Sequence, residues 1–102
     1  MIHLLAFITA KPGKRAAILA EFARIVPLVH AEKGCLEYQP VVDAAGSPRD
    51  QTRMGPDKFA VVEKWESVAA LHAHMDAPHM AEYGKKVREL IAERTLHILS
   101  PA

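Results

Sequence analysis

The residues able to do chemistry are concentrated between Glu63 and His79, in the stretch EKWESVAALHAHMDAPH. It holds the only tryptophan, three of the six histidines, and an acid inside an apolar run. Glu63 and Trp65 are two apart, so on a strand they share a face. A carboxylate facing a pocket must be paired or have a raised pKa. Either state suits a proton acceptor or the partner of a histidine. Trp65 is a core aromatic or a pocket wall that offers its indole N–H to a substrate. His72 and His74 would point about 200° apart on a helix. His74 and His79 straddle Asp76 and could converge, as acid/base groups or as a cap at a helix junction. With no His-Glu-x-x-His pattern and no cysteine among them, no metal is expected. Tyr38 and Tyr83 are amphipathic, able to line a pocket or to sit in a core. Phe22 reads as core or pocket lining.

The elements that must position these groups follow from periodicity. Residues 2–10, IHLLAFITA, are apolar on both parities and read as a strand buried on both sides, ended by Lys11-Pro12-Gly13. Over 14–32 the spacing of Ile18, Phe22, Ile25, Val26 and Val29 predicts a helix. Pro27 should kink it or make it end and restart, and Lys33-Gly34 should stop it. Residues 35–42 read as a second strand, with Leu36 and Tyr38 on one side and Cys35, Glu37 and Gln39 on the other. Pro40 marks an edge strand or a bulge. Residues 43–57 are loop by composition, in which Arg49, Arg53 and Met54 could close over a site or pack on a partner. A third strand covers 58–66, with Phe59, Val61, Glu63 and Trp65 on one side. Ser67 should cap a helix at 68–75. Asp76 should cap another, with Pro78 in its first turn and Met80, Tyr83, Val87, Leu90 and Ile91 as its stripe. A last strand is expected at 95–100.

This β-α-β-β-α-β order predicts an α+β, ferredoxin-like antiparallel sheet in one domain over 1–102, with both helices on one face. The first and third strands, being most apolar, belong in the centre. The other face of the first strand then lacks a cover, and packing two sheets face to face in a homodimer would supply one.

Bulk properties narrow the function. The 102 residues carry 13 basic and 12 acidic side chains, a net charge of +1, and half are hydrophobic. No basic stripe for nucleic acid is visible, since Lys85, Lys86 and Arg88 mix with Glu82, Glu89 and Glu93 on a helix face read as solvated. Cys35 is the only cysteine, which fits a reducing compartment. With no leader-like start and no apolar run of membrane length, a cytoplasmic protein is expected.

Three segments resemble the antibiotic biosynthesis monooxygenase family, and within it the small quinol-monooxygenase-like proteins. They are AFITAKPGK, HAEKGCLEYQ and EKWESVAALHAHMDAPHM. Glu32, Gly34, Cys35 and Tyr38 match an E-x-G-C-x-x-Y pattern. Glu63, Trp65, Leu71, His74 and His79 match E-x-W…A-L-x-x-H…P-H. The 43–57 loop looks longer than is usual in the family. The resemblance implies a dimeric α/β barrel with a pocket between sheet and helices in each protomer. It also implies oxygenation of a small phenol or quinol by dioxygen without metal, haem or flavin, the substrate being its own reductant. Glu63, His74 and His79 are then the candidates for proton transfer. Tyr38, Trp65, Tyr83 and Phe22 are the candidates for holding the ring. A haem-degrading branch of the fold uses an Asn on the first strand and an iron-binding His on the second long helix. IHLLAFITA has no Asn and 80–92 has no His, so that branch fits less well. A non-catalytic dimer that binds a small aromatic ligand would need the same pocket and stays open.

Overall fold

The computed structural model describes residues 1–46 and 49–102. The chain runs β1 (Ile2–Ala10), α1 (Arg15–His30), β2 (Cys35–Val41), β3 (Lys58–Trp65), α2 (Val68–Met75), α3 (Pro78–Val87), a 3₁₀ turn (Arg88–Leu90) and β4 (Ile91–Leu99). The strands form one antiparallel sheet in the order β2-β3-β1-β4. This is the ferredoxin-like α+β arrangement, with the two most apolar strands in the centre. No helix is long and apolar enough to cross a membrane among the described residues.

The core lies between the helices and one face of the sheet. Leu4, Ala6, Ile8 and Ala10 of β1 alternate into it, as do Phe59, Val61, Glu63 and Trp65 of β3. From the helices, Ile18, Phe22, Ile25, Val29, Leu71 and Val87 close over them. On the opposite face, Leu5, Phe7 and Val62 are only half-buried and no helix covers them.

Several local expectations need correction. α1 neither ends nor restarts at Pro27. The proline is exposed and forfeits one backbone bond, while Ile25 and Val29 on either side hold the helix to the core. Gly34 carries the turn after α1, at φ +85°. In β2 the register slips between Cys35 and Glu37, so that Cys35 pairs with Trp65 and Glu37 with Lys64. The extra residue, Leu36, is exposed, and Cys35 falls on the same face as Tyr38 instead of the opposite one. The bulge therefore sits at Leu36 and not at Pro40, although β2 is an edge strand as Pro40 suggests.

At the second helix pair, Ser67 caps α2 as expected, its Oγ accepting from Ala70 N at 3.1 Å. Asp76 is the C-terminal cap of α2, not the start of α3. Ala77 opens α3 without a side-chain bond, because its methyl group has no acceptor to offer, and Pro78 at the first helical position leaves one fewer N–H without a partner. The α-helix stops at Val87, so Leu90 lies in the 3₁₀ turn and Ile91 in β4. β4 starts four residues earlier than 95 because β1 offers it backbone partners along nearly its whole length, from Leu99 opposite His3 to Ile91 opposite Ala10.

Of the 43–57 segment, Ser47 and Pro48 lie outside the described residues. Its two ends are tied down. Asp43 accepts from Met54 N and Gly55 N, both at 2.9 Å, and those bonds hold its carboxyl below the usual carboxylate range. Asp57 accepts from Gly13 N at 3.0 Å, and Arg15 Nη1 donates to the Gly55 and Lys58 carbonyls.

Candidate active site

A half-open cavity of about 750 Å³ lies between the sheet and helices α2 and α3. That is within the usual range for a small-molecule site. Its sheet floor is Leu4, Ala6, Ile8 and Val61, and its helix wall includes Leu71 and Met80. Into this apolar surface project Phe22, Tyr38, Glu63, His74 and Tyr83.

Glu63 is buried on β3 and accepts a hydrogen bond at Oε1 from Trp65 Nε1 at 3.0 Å. Burial pushes its carboxyl up to about 7, with a small further rise from the Glu32 charge and an opposing pull from the indole N–H. The group is thus poised to exchange a proton near neutrality. Trp65 does not reach the cavity. It is fully buried, its one donor is committed to Glu63, and its ring lies 4.6 Å from that of His74. It backs the wall instead of forming it.

His74 is buried on α2 and does line the cavity. Its Nδ1 lies 2.9 Å from Glu32 Oε2, and His79 Nε2 lies 2.7 Å from the same oxygen. A carboxylate only accepts, so both nitrogens facing it carry protons, and in the neutral tautomer this sets for His74 the lone pair is on Nε2. His74 and His79 do converge, as their positions around the helix junction allow, but on Glu32. His79 is not among the cavity-lining residues. The histidine partner is therefore Glu32, while Glu63 pairs with the indole. Glu32 is the member of the candidate site that spacing could not reveal, because 42 residues separate it from His74. The only signal was its place in the E-x-G-C-x-x-Y stretch.

The ligand atoms of Glu32, His74 and His79 lie within 4.8 Å of one another, a two-histidine, one-carboxylate set able in principle to hold a divalent ion. The contacts of 2.7 and 2.9 Å are those of N–H···O⁻ hydrogen bonds, which account for the geometry without a metal.

The aromatic candidates form one group. Phe22 stacks on Tyr38 with centroids 5.1 Å apart and rings 7° from parallel, and meets Tyr83 edge-on at 5.8 Å. Tyr38 meets His74 at 5.3 Å. Burial above all, with the Glu63 charge next, raises the Tyr38 phenol well above its ordinary value. Burial raises that of Tyr83 to about 12, Arg94 opposing. Both stay protonated at neutral pH and can donate. Cys35 is half-buried, and burial, then Glu32 and Glu63, push its thiol up, away from reactivity. No described residue of the 43–57 loop lines the cavity, so Arg49, Arg53 and Met54 do not close over it.

A ferredoxin-like protomer with an apolar cavity and a carboxylate and imidazole in its wall matches known proteins closely. Residues 1–86 match the antibiotic biosynthesis monooxygenase family, and the chain belongs to it. It is 42% identical to the "Probable quinol monooxygenase YgiN" of Escherichia coli K12, over 99% of this chain and 98% of that protein. Among solved structures, PA3566 from Pseudomonas aeruginosa superposes with a TM-score of 0.82 at 28% identity, over 99% of this chain and 93% of that one. SO0527 from Shewanella oneidensis gives 0.79 at 27% identity, over 96% and 87%.

Proposed function

We propose that the protein is a monooxygenase that oxidises a small phenol or quinol with dioxygen in this cavity, without a bound cofactor. One observation carries the reading. Glu63 and His74 stand together at one end of the cavity, against Leu4 and Leu71, and each has one heteroatom committed to the protein and the other free among the described residues. The family and the name of the Escherichia coli relative support it.

His74, oriented by Glu32, accepts the phenolic proton at Nε2, or Glu63 accepts it at Oε2. The aromatic group of Phe22, Tyr38 and Tyr83 holds the ring, and the apolar wall keeps water from the anion. That electron-rich anion then reduces dioxygen. For a hydroquinone the balance is one quinol plus one O₂ giving one hydroxyquinone plus one water. The four electrons oxygen gains are those the substrate loses. Tyr38 and Tyr83, protonated throughout, can donate hydrogen bonds to substrate oxygens. The active species in this reading is a homodimer packed through the uncovered sheet face.

The test is oxygen uptake with a panel of quinols. The wild type should consume oxygen above the buffer rate, and His74→Gln and Glu63→Gln should each lower kcat by about 10²-fold or more, the range of general acid–base catalysis. Uptake equal to buffer across a panel that the protein demonstrably binds would leave a ligand-binding protein and defeat the enzyme reading.

A further inference from the structure

The cavity has two chemically different ends. In the sheet register the core-facing row at one end runs Glu63–Leu4–Ile98, and the row at the other runs Phe59–Ile8–Arg94. Leu4 and Ile8 are four residues apart, about 14 Å along the strand, and β3 and β4 lie two strand spacings apart, about 10 Å. Glu63 and Arg94 thus stand on a diagonal of about 17 Å at backbone level. Ala6, Val61 and Leu96 floor the space between.

The lining also includes Lys85 near the end of α3 and Arg88 of the 3₁₀ turn, on the segment that enters β4 opposite Ala10, at the Arg94 end of the strand. All three are exposed, and none makes an ion pair among the described residues. The nearby Lys86, by contrast, reaches Glu21 at 3.8 Å. Among the described residues the only carboxylate lining the cavity, Glu63, is at the far end and already accepts from Trp65. Glu21, the acid whose charge also reaches Tyr83, lies 3.8 Å from both Arg24 and Lys86, so the three lining cations keep no ion-pair partner among the described residues and favour an anion. The charge of Arg94 is felt inside the cavity, where it opposes the burial effect on Tyr83 and outweighs the contrary effect of Glu21.

We propose that the cavity takes an aromatic diol bearing an anionic substituent, a carboxylate, with the ring toward Glu63 and His74 and the anion held by Arg88, Arg94 and Lys85. Two guanidinium groups suit a planar carboxylate, each able to bind it through two parallel bonds. This inference rests on the aromatic-ring reading of the site and narrows its substrate class.

The probes are 2,5-dihydroxybenzoate and its methyl ester, the same diol ring with and without the charge, titrated calorimetrically without oxygen. The acid should bind at least about tenfold tighter than the ester, and added salt should narrow the gap. In an Arg88→Gln/Arg94→Gln variant, shown folded by circular dichroism, the gap should shrink to within about twofold while the ester's affinity holds. Equal binding of acid and ester to the wild type would overturn the anionic substituent and leave the ring reading standing. A preference for the acid that survives the double substitution would overturn its assignment to these residues. Binding of neither probe would overturn the ring reading, and this inference with it.

Discussion

Glu63 ties stability to pH. Its carboxyl titrates near 7 in the folded chain and near 4.5 ordinarily, so the folded state binds its proton more tightly. The stability this contributes is fully present below about 4.5 and is lost as pH rises through about 7. The effect is at most about 3 kcal/mol. In Glu63→Gln the amide oxygen can still accept from the indole, and no ionisation remains. The variant should therefore lose that dependence and melt above the wild type at pH 8, as scanning calorimetry at pH 5 and pH 8 would show. A wild type whose melting temperature is flat across that window would contradict the placement of this acid. The candidate wall was legible in part: the period of two put Glu63 on the buried face of β3. The pairing was not legible, because which carboxylate meets which donor depends on how α1 ends against α2, and no local spacing encodes that.

Among the elements, the turn after α1 is the tightest. A Cβ at Gly34 would meet the Ala70 Cβ at 2.6 Å, and the backbone there is left-handed. Gly34→Ala should therefore destabilise by about 2 kcal/mol or more, read by urea denaturation. Because Glu32 rides on the same turn, His74 should lose its hydrogen bond as well. Gly34→Ala/Ala70→Gly removes the clash and should recover part of the loss, the left-handed strain remaining. Element types and the sheet centre were readable from hydrophobic periodicity and from Gly and Pro positions. The errors came where tertiary pairing overrode local signals. Leu36 was counted into the alternation of β2, although pairing with β3 pushes it out. Helical spacing places Ile91 and Glu93 with the preceding helix, although β1 has an edge that pairs with them.

For the molecule as a whole, the uncovered sheet face is the largest outstanding demand. Phe7 there is half-buried only by strand neighbours, with the Lys58 ammonium 5.9 Å from its ring and His97 edge-on at 6.0 Å. The wild type should sediment as a dimer at micromolar concentration, and Leu5→Glu should sediment as a monomer with unchanged far-ultraviolet circular dichroism. A monomeric wild type would remove the argument for sheet-to-sheet packing. The same global view changes what Glu32 means. One oxygen atom closes two loops, with sequence separations of 42 and 47 residues. Closure entropy grows only with the logarithm of loop length, so the length-dependent part for either loop alone is about 3 kcal/mol. Once the first is closed, residues 74 and 79 are only five apart, and the second closure requires little further ordering. Either contact thus favours the other, and the docking of α2 and of α3 on the turn after α1 is coupled through this one oxygen.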